Sequence, residues 1–218
     1  MVQLWNFPRL SASRQRRLAR AMQVSLIGIL LVGLYDGDSS IIVNTVVALC
    51  VTHLPAVLER EYDVSLDARL SLWITSAVFL HAFGMVGVPW TPLNPYQSVW
   101  WWDHLTHSLS ASVVAAVGYS TARIVDSHGG AIELPPRFMF VYIVLFVLAF
   151  GVLWEVLEFA VSRLAFLHGG EPVLVQYGLE DTLLDLVFDM VGGVAVATRG
   201  TELLDDVIQA EFPTPSNS

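Results

Sequence analysis

Lysine is absent from this chain of 218 residues, and all eleven of its basic residues are arginine. Only 14% of the residues are charged, against about 25% in soluble domains. The formal net charge is −9, so we expect no basic face on which a nucleic acid would bind. An acidic chain without lysine is typical of a host with high internal salt. A codon bias towards arginine and alanine would produce the same composition.

Cysteine is nearly absent as well. Cys50 is the one cysteine, so no disulfide framework can form within a single chain. It lies in a long apolar run, which predicts a small buried side chain. Strict apolar and polar alternation is also lacking over any stretch long enough for a membrane strand, which excludes a β-barrel.

Apolar residues are abundant instead: 55% of the chain is hydrophobic, and the mean hydropathy is +0.60. A soluble core cannot bury so much apolar surface in so short a chain, so we predict an integral membrane protein. The fold class is all-α, a polytopic bundle of about six transmembrane helices in one domain at 20–199. A basic segment, 1–19, precedes it, and an acidic tail, 200–218, which we expect to be disordered, follows it. The predicted spans are 20–35, 40–58, 70–88, 105–125, 138–162 and 181–198.

The arginines predict the orientation. If the N-terminus is cytoplasmic, ten of the eleven fall in inner segments and only Arg163 falls outside. Cytoplasmic loops of membrane proteins are enriched in arginine, so both termini are predicted to be cytoplasmic. The outer loop 89–102 is rich in proline and aromatic residues. We expect no helix in this loop, and we expect its rings to lie at headgroup level.

Acidic and imidazole side chains interrupt four of the spans in their outer halves. At 1.5 Å per residue they lie as deep as about 12 Å below the outer helix ends. Members of one span recur at i,i+3 or i,i+4, which places them on one helix face. An ionised carboxylate near the bilayer centre costs roughly 2.5–3.5 kcal/mol, so a cation or protons must balance this cluster. The set comprises His81, Asp103, His104, His107, Glu155, Glu158, Asp181, Asp185 and Asp189.

Purely structural roles are open to some members of this set. Asp103 and Asp181 also fit the N-terminal turns of two helices, where acids are favoured. His104 fits a residue that reaches the membrane interface, and His81 fits a hydrogen-bonded core histidine. The remaining acids have no comparable structural role, because burial in lipid leaves their oxygens unsatisfied.

The first hypothesis is therefore a divalent-metal site that takes Mn, Fe, Zn or Mg, since carboxylate and imidazole ligands without thiolate suit these ions. If the site is catalytic, the protein is a metal-dependent membrane hydrolase acting on an ester or phosphoester of a membrane lipid. Glu155 or Glu158 would then be the base. The expected core ligands are His107, Glu155, Glu158, Asp185 and Asp189, with Asp103, His104 and His81 as further partners.

Two other classes stay open. A proton- or cation-coupled transporter also carries intramembrane acids, but the inner halves of these spans hold few polar groups. A structural or assembly protein would use the acids to bind cations for stability alone. The metal hypothesis requires spans four, five and six to be mutual neighbours, with span three close by.

Four motifs resemble the YjdF-like family of multi-pass inner-membrane proteins, over about residues 40–195. They lie at 80–84 (LHAFG), 102–107 (WDHLTH), 153–159 (LWEVLEF) and 185–190 (DLVFDM). At 177–181 the chain reads YGLED, where the family usually has a turn resembling GTQGD. The resemblance implies a location in the inner membrane and supports the polar cluster, and it implies no particular activity.

Overall fold

The computed structural model describes residues 10–62, 66–87, 93–129, 134–170, 172–174, 176–201, 204–205 and 208. Over these residues the fold is entirely helical, and it contains no strand. In chain order the helices are α1 (Ala12–Asp36), α2 (Ser39–Tyr62), α3 (Ala68–Gly84), α4 (Pro95–Ser98), α5 (Trp102–Gly129), α6 (Pro136–His168) and α7 (Leu179–Ala195). A π-helical turn, Val196–Gly200, continues α7.

Six of these helices coincide with the six predicted spans. Among the described residues, four are long and apolar enough to cross a bilayer on their own: α1, α2, α5 and α6. Helices α3 and α7 have 17 residues each, or about 25 Å at 1.5 Å per residue, slightly less than a hydrocarbon core of about 30 Å. The π-helical turn lengthens α7 enough to cover that distance. A helical membrane bundle is therefore confirmed.

Local sequence signals account for the helix ends. The side chain of Asp67 accepts hydrogen bonds from the backbone of Arg69 and Leu70, which caps α3. Gly37 ends α1 with φ 70°, a left-handed conformation that favours glycine and allows the tight turn into α2. Helix α1 starts at Ala12, earlier than its predicted span, so arginines of the basic segment lie on this helix.

Two expectations were wrong. The loop 89–102 contains the short helix α4, because Pro95 occupies its first turn, where proline is tolerated, and the capping residue Asn94 forms a capping box with Gln97 of the helix. Cys50 is exposed rather than buried. In a membrane bundle the outer surface faces lipid, so an apolar side chain is equally stable on either side of a helix.

The bundle consists of two packed groups joined in the middle. Helices α1, α2 and α3 are mutual neighbours, and so are α5, α6 and α7, while α3 packs against α5. The indole N–H of Trp73 donates to Ser112 Oγ at 2.9 Å across that junction. The mutual contacts of α5, α6 and α7 confirm the neighbour relationship that the metal hypothesis required.

Small residues allow α5 and α7 to approach most closely. A Cβ added at Gly192 would overlap the backbone carbonyl oxygen of Ser108. The Ser108 hydroxyl itself donates to the backbone carbonyl of Phe188 at 3.0 Å. This close approach brings the acidic face of α7 against the histidine face of α5.

Candidate functional site

His107, in the N-terminal half of α5, lies at the centre of the polar cluster. Its Nδ1 is 3.2 Å from Asp189 Oδ1 on α7. A carboxylate oxygen accepts hydrogen bonds, so Nδ1 carries a proton and donates it to Asp189. In the neutral ring, Nε2 then keeps its lone pair, which is available to a cation.

Two further carboxylates face that second nitrogen. His107 Nε2 lies 3.6 Å from Asp103 Oδ1 and 3.8 Å from Asp185 Oδ1. Both distances are longer than a charge-assisted hydrogen bond, which spans about 2.7–2.9 Å. Two ligands held at about 2.0–2.2 Å by one tetrahedral ion lie roughly 3.3–3.6 Å apart. One ligand atom from each of these three residues lies within 4.8 Å of the other two, so the group could hold a metal ion.

Buried oxygens in the cluster lack hydrogen-bond partners. Asp185 is 2% exposed and Glu155 is 5% exposed. Among the described residues, neither Asp185 Oδ1 nor Glu155 Oε1 has a hydrogen-bond partner, although Thr182 donates to the other Glu155 oxygen at 2.8 Å. A buried unsatisfied oxygen costs about 1–3 kcal/mol, and more when it is charged.

Asp103, His107 and Asp185 all line a small cavity of about 20 Å³. That volume exceeds the roughly 10–15 Å³ needed to hold a single water molecule. Glu158 lines this cavity, while its Oε1 accepts a hydrogen bond from the indole of Trp154 at 3.0 Å. Residues of α3, α4, α5 and α7 and of the adjoining loops complete the wall: His81, Met85, Tyr96, Asp103, His107, Tyr177, Asp181 and Asp185.

His81 lines the cavity with both ring nitrogens hydrogen-bonded. The Asn44 amide nitrogen donates to two backbone carbonyls, so its oxygen accepts from His81 Nε2, 3.2 Å away. His81 Nδ1 is then the acceptor for the Tyr96 hydroxyl at 2.8 Å. Burial raises the pKa of Tyr96 above its ordinary value, which keeps this hydroxyl protonated. A histidine held in this way has no free lone pair for a metal.

His104 packs against aromatic side chains. Its ring stacks on Phe188 of α7 with centroids 4.2 Å apart, and it meets Trp100 edge to face. Its Nδ1 is buried and has no hydrogen-bond partner among the residues that the structure describes. Nor does a hydrogen bond or ion pair among these residues join His104 to the acidic cluster, although its spacing from His107 had suggested one.

The structure thus sorts the eight predicted metal-site residues into groups. Asp103, His107, Asp185 and Asp189 are in direct contact. Glu158 and His81 share the small cavity, Glu155 accepts a hydrogen bond from Thr182, and His104 stacks on Phe188.

Residues that sequence reasoning had not placed at the site also take part: Asn44, Tyr96, Trp154, Tyr177 and Thr182. Asn44 was visible as a polar residue in an apolar span, and Thr182 as a hydroxyl beside the acidic stripe. Tyr96 gave no signal, because an aromatic residue in an outer loop is ordinary.

No arginine that the structure describes forms an ion pair with these acids. Over the parts of the chain that the structure describes, arginine ion pairs involve only acids near the helix ends and the neighbouring loops, such as Asp67, Asp126 and Asp205. The cluster contains more carboxylates than imidazoles, and it lies among spans that are otherwise apolar. Positive charge is therefore still required.

Comparisons with known proteins agree with this architecture. A family model described as "Predicted membrane protein (DUF2238)" matches residues 18–206. A protein of Thermotoga maritima described as an uncharacterized protein is 30% identical over 149 residues, which cover 66% of this chain and 67% of that protein. No solved structure matches the chain. The matched region contains every residue of the cluster, and the chain belongs to the DUF2238 family of predicted membrane proteins.

Proposed function

We propose that this multi-pass membrane protein holds one divalent metal ion between Asp103, His107 and Asp185. The observation that carries the proposal is the buried Asp185 oxygen, which has no hydrogen-bond partner within the described part of the chain and faces the free Nε2 of His107. Asp189 would be the outer partner that holds the imidazole in the metal-binding tautomer, as carboxylates commonly do for metal-bound histidine. Oxygen and nitrogen ligands favour Mn, Fe, Zn or Mg.

A protonated His107 is the main rival to a metal. An imidazolium would offset one negative charge, and its Nε2–H would then seek a hydrogen bond. The distances of 3.6 and 3.8 Å to Asp103 and Asp185 are too long for that bond and lie closer to the spacing of two ligands that share one ion. A metal also supplies more positive charge than one imidazolium to a cluster rich in carboxylates.

The chemistry that we infer is hydrolysis or modification of a lipid-linked substrate. A bound divalent ion would supply an activated water and polarise an ester or phosphoester. Glu158 is better placed than Glu155 to act as the base, because it lines the small cavity while Glu155 is engaged with Thr182. The resemblance to YjdF-like proteins supports the inner, cytoplasmic membrane as the location.

A transport function is less well supported by the surroundings of the cluster. Inward of His107 and Asp189, the residues that line the interior are mainly valine, alanine and phenylalanine. A path for protons or cations would need polar groups there. Ion flux in proteoliposomes of the wild type that is lost in Asp189→Asn would favour transport over the metal-dependent function.

Elemental analysis of protein purified in detergent, without chelators, tests the metal site. We expect about one divalent ion per chain in the wild type, and loss of that ion in Asp185→Asn and Asp103→Asn. Asp36→Asn is the matched control, since this exposed acid at the end of α1 lies outside the cluster. Wild-type protein that is folded and contains no metal would overturn the proposal.

The catalytic step has its own test. Wild type and Glu158→Gln are reconstituted with total membrane lipid, and lipid products are followed by mass spectrometry. We expect metal-dependent product formation in the wild type, and its loss in Glu158→Gln with metal content retained. Product formation that survives both chelation and Glu158→Gln would contradict the assignment.

A further inference from the structure

A second, larger cavity of about 300 Å³ lies inside the bundle next to the polar cluster. Its volume is at the lower end of the range of about 300–1,000 Å³ that is usual for small-molecule sites. Helices α2, α3, α5 and α6 form its wall, together with Asp189 of α7.

Polarity in this cavity changes with depth. His81, His107 and Asp189 line its outer end, where they border the candidate metal site. The step from His107 to Val114 spans about 10 Å along α5, and at that depth Val114 and Val147 form an apolar floor. Cavities lined by such residues stay dry and bind apolar molecules. The occupant therefore needs a polar end near His107 and an apolar part that extends towards the membrane centre.

Two of the helices that line the cavity, α2 and α6, are separated by a gap. Over the described residues, no Cα atom of α2 lies within 8 Å of a Cα atom of α6, although both helices line the cavity. Val47 on α2 is 55% exposed and Phe150 on α6 is 48% exposed. Both belong to the cavity wall, so the interior is open to the lipid between these helices.

We propose that this cavity holds one aliphatic chain of a membrane lipid, which enters sideways between α2 and α6. The chains of lipids in either leaflet point from the headgroup towards the membrane centre, which is the direction in which the cavity becomes apolar. A lipid bound in this way has its headgroup beside His107 and Asp189. This inference rests on the proposed function in one respect: the bound lipid is the substrate class of the metal site.

Photolabelling with a single-chain monoacylglycerol that carries a diazirine at the end of its chain tests the proposal. The uncharged headgroup makes binding independent of any metal. We expect saturable labelling of α5 and α6 near Val114 and Val147, competed by the same lipid without the diazirine. Labelling that never saturates and spreads over outward-facing residues such as Val24 and Val141 would overturn it.

Two neighbouring valines provide a matched pair of variants. Val46 and Val47 are both exposed on α2, but only Val47 lines the cavity. We expect Val47→Trp to remove the saturable labelling and Val46→Trp to retain it. Equal labelling of the two variants would contradict the proposal. If Val47→Trp does not fold, the proposal is tested by the wild type alone, from the positions that are labelled and from whether the labelling saturates.

The same experiment separates this proposal from the metal site. Saturable labelling of a protein that contains no metal would support lipid binding in the cavity and contradict the proposed metal-dependent function. If the metal is bound at full occupancy and no saturable labelling is seen, the metal site is supported and the proposal of lipid binding in the cavity is overturned. Asp185→Asn, which keeps the cavity wall intact, should label like the wild type.

Discussion

His107 on α5 and Asp189 on α7 are joined by a hydrogen bond of 3.2 Å between Nδ1 and Oδ1. This bond fixes the tautomer of His107 and turns Nε2 towards Asp103 and Asp185. It also crosses the contact between α5 and α7, where glycine at position 192 allows the two backbones to approach. One contact therefore relates the packing of the fold to the chemistry of the candidate site.

Asp189→Asn should weaken the metal site without abolishing it. Removing an outer hydrogen-bond partner of a metal-bound histidine typically reduces metal affinity by about 10–100-fold. We expect that loss in Asp189→Asn and a larger one in Asp185→Asn, measured by competition with a chelating dye. Equal affinities in Asp189→Asn and the wild type would contradict the role assigned to Asp189.

The three histidines should differ in their effect on metal content. His104→Phe preserves the ring stack on Phe188 and should keep the metal. His81→Gln should also keep it, because both ring nitrogens of His81 are used by Asn44 and Tyr96. His107→Gln should lose it. Elemental analysis of the three variants side by side gives the comparison, and metal loss in His104→Phe with retention in His107→Gln would reverse the assignment.

Part of this site was predictable from the sequence. The spacing of Asp185 and Asp189 places both on one face of α7, and the cost of burying acids in lipid predicts that they meet compensating groups. The long apolar spans predicted the helical membrane fold for the same physical reason. Both predictions depend on helical periodicity and on hydropathy, which a single sequence carries.

Other parts were not predictable. His104 and His107 differ by three residues, or about 60° around the helix, and packing against Phe188 decides that His104 faces away. Tyr96 reaches His81 only because the short helix α4 folds back over the bundle. Cys50 is exposed because lipid tolerates apolar residues as well as a protein core does. Each of these outcomes depends on tertiary contacts that local sequence does not encode.

Gly192→Ala should destabilise the bundle by forcing α5 and α7 apart. The added Cβ would overlap the Ser108 carbonyl oxygen, and overpacking of this kind costs about 1–3 kcal/mol. We expect a lower melting temperature in detergent. Gly28→Ala is the control, because a Cβ there meets no atom within 4 Å and alanine favours helix. Similar melting temperatures for Gly192→Ala and Gly28→Ala would contradict the packing argument.

At the opposite end of α5, Tyr119 should contribute to stability and not to metal binding. Its hydroxyl donates to Asp205 Oδ1 at 2.6 Å, and Arg123 Nε donates to the same oxygen at 3.3 Å. Tyr119→Phe removes one hydrogen bond to a charged group, worth about 1.5–3 kcal/mol and less here because Asp205 is one-third exposed. We expect a lower melting temperature with unchanged metal content. Loss of the metal in Tyr119→Phe would show that the two ends are coupled.

Whether one ion lies between Asp103, His107 and Asp185 is decided most directly by pulsed electron paramagnetic resonance of the Mn²⁺-loaded protein. A nitrogen bonded to Mn²⁺ gives a hyperfine coupling that reports imidazole ligation. We expect this coupling in the wild type, in His104→Phe and in His81→Gln, and its loss in His107→Gln. Bound Mn²⁺ without a nitrogen coupling in the wild type, or a coupling that persists unchanged in His107→Gln, would contradict the proposed metal site.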